Sequence, residues 1–230
     1  MNYALILAGG SGIRMESEIP KQFIQVNGKP ILAYTMDRFE KHPGIDTMVV
    51  VSISGWEDFI WRMCKELGYR KLSKVVTGGD SALSSIQNGI DALQCHDDDI
   101  IVIHDGVRPL VDADSITAVI EDCSQYGCAI SSVPLIEHIA YVGKSRTDVH
   151  YIPRENAFRT ITPQAYRFSV IQDAYRKARE KGLNSAFIGT LLMDLGEPVC
   201  LSKGSEKNIK ITNPKDLVFF STMLDKLCGC

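Results

Sequence analysis

Hydrophobic positions along the chain fall into two alternating kinds of run. Short, nearly continuous apolar runs cover residues 5–7, 48–53, 74–77, 100–103, 129–133 and 199–201. Runs of this length without polar alternation are expected of strands buried on both faces. Longer stretches lie between them, over residues 30–40, 56–67, 82–93, 113–126, 169–181 and 214–226. Several carry apolar residues at helical spacing, as at Ile116, Val119, Ile120 and Cys123. Pro30 falls where a first-turn proline is tolerated, and Asn213-Pro214 reads as a cap followed by a first turn. The alternation predicts an α/β fold, a mainly parallel sheet with helices on both faces. Ligands of such sheets bind beyond the carboxyl ends of the strands.

The rhythm breaks between Pro134 and Thr162. Ile139-Ala140-Tyr141-Val142 and Val149-His150-Tyr151-Ile152 flank a polar turn at Gly143-Lys144-Ser145-Arg146. This pattern predicts a hairpin arm. Two strands have too little core to stand alone, so the arm is expected to pack on a neighbour. No repeat, low-complexity tract or linker is present. Residues 1–230 therefore read as a single domain with the arm, 134–162, inserted in it.

Composition acts mainly by exclusion. The 230 residues carry 25 basic and 28 acidic side chains, a formal net charge of −3 that gives no basis for nucleic-acid binding. Polar residues begin by Ser11 and no basic n-region precedes them. The expectation is a chain with no signal peptide and no membrane span, working in the cytoplasm. The seven cysteines are odd in number and contain no CxxC pair, so they read as reduced, mostly buried thiols. Cys228-Gly229-Cys230 reads as a frayed terminus before it reads as a metal clip. The five histidines show no ligand spacing.

The chemistry concentrates where strands end. After the first apolar run come Ala8-Gly9-Gly10-Ser11-Gly12, then Arg14 and Lys21. Bare backbone followed by cations suits a polyphosphate. A P-loop lysine is missing, and Met15 stands where a dinucleotide fingerprint needs its third glycine. A second loop, Gly78-Gly79-Asp80, precedes Ser84 and Ser85. It is either a backbone wall for a base or ribose, or a turn with a helix cap. His104-Asp105-Gly106-Val107-Arg108-Pro109 follows a buried run. Asp105 there either holds Mg²⁺ against phosphates or makes a structural pair with Arg108. His104 reads as structural. Arg154, Thr160-Ile161-Thr162-Pro163-Gln164 and Asn208-Ile209-Lys210-Ile211-Thr212 complete the set. In the last, strand-like alternation puts Lys210 on one face with Asn208 and Thr212.

In this order the motifs LAGGSGIRM…PKQF, GGD…SSIQNG, HDGVRPLV, R…TPQAY and NIKITNPKDL resemble the cytidylyltransferases that act on 2-C-methyl-D-erythritol 4-phosphate and ribitol 5-phosphate. The resemblance implies a Rossmann-like nucleotidyltransferase fold whose β-arm interlocks a homodimer. It implies transfer of CMP from CTP to a polyol phosphate with release of pyrophosphate, with Mg²⁺ as cofactor. CTP would lie across Leu7, Ala8, Gly9, Gly10 and Gly12, with Gly79, Asp80, Ser85, Asp105 and Gly106 at the cytosine and ribose. Arg14, Lys21 and Lys210 would be the catalytic cations and Asp105 the metal-linked acid. Arg108 would belong to the acceptor site, and Arg154 would hold the acceptor's phosphate from the other subunit. Three departures lie in the acceptor half. Pro134-Leu135-Ile136-Glu137-His138 stands where an Asp-Thr pair is usual, Ala82 replaces an arginine, and Phe187-Ile188-Gly189-Thr190 replaces an acidic segment. They favour ribitol 5-phosphate or a related polyol phosphate, with methylerythritol phosphate second. A nicotinamide-dependent dehydrogenase and a non-catalytic CTP-binding protein are the readings from other classes.

Overall fold

The alternating apolar runs build a sheet sandwiched between two helical layers in the computed structural model, which describes residues 1–10, 15, 19–183, 185 and 187–228. The strands are β1 (Asn2–Ala8), β2 (Gln25–Val26), β3 (Lys29–Pro30), β4 (Thr47–Ser52), β5 (Leu72–Thr77), β6 (Ile100–Asp105), β7 (Cys128–Pro134), β8 (Ile139–Val142), β9 (Val149–Ile152), β10 (Phe158–Arg167) and β11 (Cys200–Lys203). The helices are α1 (Ile31–Glu40), α2 (Glu57–Glu66), α3 (Ala82–Asp91), α4 (Ala113–Tyr126), α5 (Phe168–Lys181), α6 (Ile188–Asp194) and α7 (Pro214–Cys228). The central sheet has the order β11-β7-β10-β6-β1-β4-β5. Neighbours are parallel except β10, which runs antiparallel to both β6 and β7.

Strand periodicity explains the two layers. Ala4, Ile6, Met48, Val50, Ile100 and Val102 face one side and pack under α1, α2 and α4. Their neighbours Leu5, Val49, Val51, Ile101 and Ile103 face the other side, under α3, α5 and α6. Each fully buried aliphatic side chain of this kind contributes about 1.5–3 kcal/mol. Helix α3 sits so close to the sheet that a Cβ on Gly89 would lie 2.8 Å from Val51 Cγ2. The close approach fixes where α3, and the glycine loop before it, meets the strand ends. A third apolar cluster joins Phe220 and Leu224 of α7 to Ile31, Val107 and Ile211.

Several elements depart from the sequence reading, α6 and the short β2–β3 pair among them. β10 has no counterpart there; Pro163 interrupts its run. Proline has no N–H to give a ladder, and the β10–β7 register shifts between Thr160 and Gln164. Residues 208–212 alternate as expected but form no strand. Ile209 and Ile211 turn into the α7 cluster, and in place of a strand ladder an Ile211 N–H bond to the Val107 carbonyl (2.9 Å) helps tie the segment down. The hairpin is present as β8 and β9, paired from Ile139↔Ile152 to Val142↔Val149. Cys64, Cys123 and Cys128 are buried free thiols. No helix among the described residues is long and apolar enough to cross a membrane.

His42 links α1 to α4. Its Nδ1 accepts from Gly44 N–H at 3.1 Å, so Nε2 carries the proton and faces the Ala113 carbonyl and Thr117 Oγ1 at 3.3 and 3.1 Å. A second proton would set two donors against each other, and burial, aided by the Lys71 charge, lowers the pKa below the usual imidazole value. The unfolded chain then binds the proton more tightly. This contribution to stability is complete above about pH 6.5 and is lost as pH falls below it. Between pH 7 and 5, the melting temperature of the wild-type protein is expected to fall more steeply than that of His42→Gln, measured by thermal denaturation.

Candidate active site

The carboxyl ends of β1, β5 and β6 open onto one cavity. Register brings Leu7 beside Asp105 and Ala8 beside Ser52, so loops that are distant in sequence leave the sheet side by side. The cavity measures about 510 Å³, within the range of small-molecule sites. Leu7, Ala8, Gly9 and Gly10 form one wall, and Gly79, Asp80 and Ser85 another. Lys21, Asp105 and Lys210 also reach it. A second cavity of about 220 Å³ lies against the first. Arg108, Thr160, Thr162 and Gln164 supply its polar lining, and Ile103, Ile130 and Ile188 part of its apolar side. Leu7, Asp105, Phe187 and Lys210 line both.

Asp105 joins the two. Its Oδ1 accepts from Lys210 Nζ at 3.0 Å and its Oδ2 from Arg108 Nε at 2.8 Å. Burial alone would raise the carboxyl pKa; the charges of Lys210 and Arg108 outweigh it and bring it down to about 2. Arg108 also donates to the Asn208 carbonyl at 2.9 Å. Asn208 is buried and its Nδ2 donates to the Thr162 carbonyl at 2.7 Å, while Thr162 Oγ1 accepts from Asp105 N–H at 3.2 Å. The segment bearing Lys210 is thereby fixed to β6 and β10 together. His104, fully buried behind Asp105, has its pKa lowered by burial to about 4 and stays neutral near pH 7.

The glycine loops are held by side chains. Gln22 Nε2 donates to the carbonyls of Ala8 and Gly10 at 2.6 and 3.0 Å. The neighbouring Lys21 is buried and its Nζ donates to the Ile211 carbonyl at 3.1 Å. Phe23, next in the same turn, stacks on Trp56 with ring centroids 4.2 Å apart. In the second loop, Ser85 Oγ accepts from Gly79 N–H at 3.0 Å, and Ser81 and Ser84 form a capping box that starts α3. The cap reading of this loop is realised, and the loop also lines the larger cavity.

Of the residues singled out from sequence, Leu7, Ala8, Gly9, Gly10, Lys21, Gly79, Asp80, Ser85, Asp105, Arg108 and Lys210 meet at these cavities. Gly12 and Arg14 lie outside the described residues. Gly106 lines neither cavity. Its N–H bonds the Leu7 carbonyl at 2.8 Å, and a Cβ there would lie 2.9 Å from Leu32 Cδ1, so it serves close packing. Arg154 is exposed in a short 3₁₀ turn, and His138 is exposed with its ring 5.9 Å from Tyr151; neither lines either of these two cavities. Gln22 and Asn208 were missed. Each anchors a neighbouring lysine's segment through backbone carbonyls, and nothing in their residue type signals that.

No group of three or more His, Cys, Asp or Glu residues suited to a metal occurs among the described residues. Asp80 and Asp105 are the carboxylates among the residues lining the larger cavity, oxygen donors of the kind that a hard cation arriving with phosphate oxygens would use.

The IspD family model, described as 2-C-methyl-D-erythritol 4-phosphate cytidylyltransferase, matches residues 3–226. A ribitol-5-phosphate cytidylyltransferase of Lacticaseibacillus paracasei is 44% identical over 96% of this chain and 97% of its own. A 2-C-methyl-D-erythritol 4-phosphate cytidylyltransferase of Clostridium botulinum is 34% identical over 98% of each. The crystal structure of 4-diphosphocytidyl-2C-methyl-D-erythritol synthase from Anaerococcus prevotii superposes with a TM-score of 0.84 at 25% identity, covering 97% of this chain and 96% of that one.

Removing Gln22 tests the loop anchoring. Two hydrogen bonds of about 0.5–1.5 kcal/mol each are lost in Gln22→Ala. A fall in melting temperature of about 2–12 °C is expected in thermal denaturation.

Proposed function

Because this chain belongs to the 2-C-methyl-D-erythritol 4-phosphate cytidylyltransferase family, we propose that its two joined cavities transfer CMP from CTP to ribitol 5-phosphate, or a related polyol phosphate, with release of pyrophosphate. The larger cavity takes CTP and the smaller one the acceptor. The observation that carries this reading is the Lys210–Asp105–Arg108 cluster standing where the cavities meet. The 44% relative supports ribitol 5-phosphate. The apolar side of the smaller cavity, at Ile103, Ile130 and Ile188, favours the methyl-branched acceptor as the second reading.

An acceptor phosphate oxygen attacks the α-phosphorus of CTP. One P–O bond forms, the bond to the β-phosphate oxygen breaks, and pyrophosphate leaves without a covalent enzyme intermediate. The task is to hold two anions in line and offset charge on the α-phosphate. Backbone N–H groups of the first loop face the triphosphate, and Lys21 stands beside it. Lys210, with its side chain 38% exposed, reaches the α-phosphate at the junction. Asp105 holds Lys210 and Arg108 apart at a fixed spacing and, with Asp80, would hold Mg²⁺. That ion, when bound, supplies further charge neutralisation and phosphate orientation. Arg14 belongs to the same set of cations.

The protomer is a homodimer subunit in this reading. Ile136, Tyr141, Val142, Val149, Tyr151 and Phe158 expose large apolar surfaces on or beside the arm, more than a two-stranded hairpin leaves to water without a partner. A second copy covers them and receives Arg154, which grips the acceptor phosphate across the interface.

The first measurement is pyrophosphate release with CTP and Mg²⁺, ribitol 5-phosphate and 2-C-methyl-D-erythritol 4-phosphate being offered separately. Turnover is expected with ribitol 5-phosphate; turnover with only the other acceptor would reverse the order of the two readings. Lys210→Ala is expected to lose about a hundred-fold in kcat while retaining its fold. The subunit crossing has its own test. Arg154→Ala and Lys210→Ala, each inactive alone, should regain about a quarter of wild-type activity when co-expressed, because half the dimers then carry one intact site. No recovery would place Arg154 in its own subunit's site or outside both.

A further inference from the structure

Phe187 is out of place by the rules of local structure. It is the N-cap residue of α6, in extended conformation, and makes no side-chain cap bond. Helices favour Ser, Thr, Asp or Asn there because a side-chain oxygen satisfies a free N–H. Phe187 is instead 42% exposed. The helix that follows it is nonetheless firmly seated. Ile188, Leu191 and Leu192 are buried in the core, and a Cβ on Gly189 would lie 3.0 Å from Tyr166 Oη. The first turn of α6 is thus pressed onto the sheet, and Phe187 is carried to the border between the two cavities, which it lines together with Leu7, Asp105 and Lys210. Leu7 belongs to the floor, packed against the core. Asp105 and Lys210 are the charged pair. Phe187 is the exposed apolar member.

We propose that Phe187 is a water-excluding partition at the junction, closing the space around the reacting phosphates so that the acceptor, and not water, attacks CTP. The inference rests on the proposed function. Water competes at the α-phosphorus in the same geometry: its oxygen forms the new bond, pyrophosphate leaves, its protons pass to solvent and the product phosphates, and CMP results instead of a CDP-alditol. An apolar ring has no hydrogen bond to offer a water molecule, so it disfavours an ordered one beside it. Excluding water also strengthens the pull of Lys210 on the developing charge.

The test is the partition of nucleotide products, CMP against CDP-alditol, measured by chromatography with CTP, Mg²⁺ and whichever acceptor the wild type uses. Phe187→Asn is the informative variant. Asn is a preferred N-cap, so the melting temperature is expected to hold or rise, while the CMP share rises about tenfold, the size of a one-contact change in barrier. Phe187→Leu keeps an apolar plug and is expected to restore most of the wild-type partition. An unchanged CMP share in Phe187→Asn, with wild-type transfer intact, overturns the partition role alone. Absence of pyrophosphate release from the wild type with either acceptor overturns the proposed function, and this inference with it.

Discussion

A buried carboxylate flanked by two cations is the interaction on which the site depends. Asp105 stands at the end of a central strand, where an unpaired charge would be costly. Lys210 and Arg108 remove that cost, and in doing so they bind together parts of the chain that the sheet alone would not join: Lys210 is 105 residues away in sequence. Asn208 extends the arrangement by carrying Arg108's second bond and reaching Thr162. The cluster is a clasp for the fold and, in the proposed function, a set of charges spaced for anions. A charge taken from one part therefore disturbs the placement of the others, so single-residue effects here should not be summed.

The glycine loops pose the opposite problem. In the proposed function their value lies in backbone N–H groups left available for the nucleotide, yet an unsupported loop would spend them on water or collapse. The first loop is tied through other atoms: Gln22 takes its carbonyls. The second gives up one N–H, that of Gly79, to Ser85, which braces it from inside α3. Phe23, wedged on Trp56, stiffens the turn that carries both Lys21 and Gln22.

What could be read from the sequence follows from the range of the forces involved. Doubly buried strands announce themselves as unbroken apolar runs, and β1, β4, β6 and β7 were found within a few residues. β10 was hidden because Pro163 breaks its pattern while its flanks still pair. α6 was hidden because seven residues give too little periodicity. Among site residues, glycines and charges at strand ends were legible: their types are unusual there and the topology brings them together. Gln22 and Asn208 were not, since a polar side chain bonded to a distant carbonyl looks the same in sequence as one bonded to water. Phe187 was noticed only as part of an altered segment, and its position at the border of two cavities is a tertiary fact.

The way the arm is attached has an evolutionary consequence. It leaves the sheet at Pro134 and returns at Phe158, and these two residues are ladder partners in adjacent strands. An excursion whose ends are already paired can be lengthened, shortened or rewritten without moving the sheet, and its closure cost changes only slowly with length. The nucleotide half, by contrast, is assembled from strand ends that share one register and cannot drift independently. Under the proposed function, in which the arm contacts the acceptor, a lineage built this way can try new acceptors through the arm while its nucleotide chemistry stays fixed, which makes the scaffold a ready source of related transferases with different second substrates.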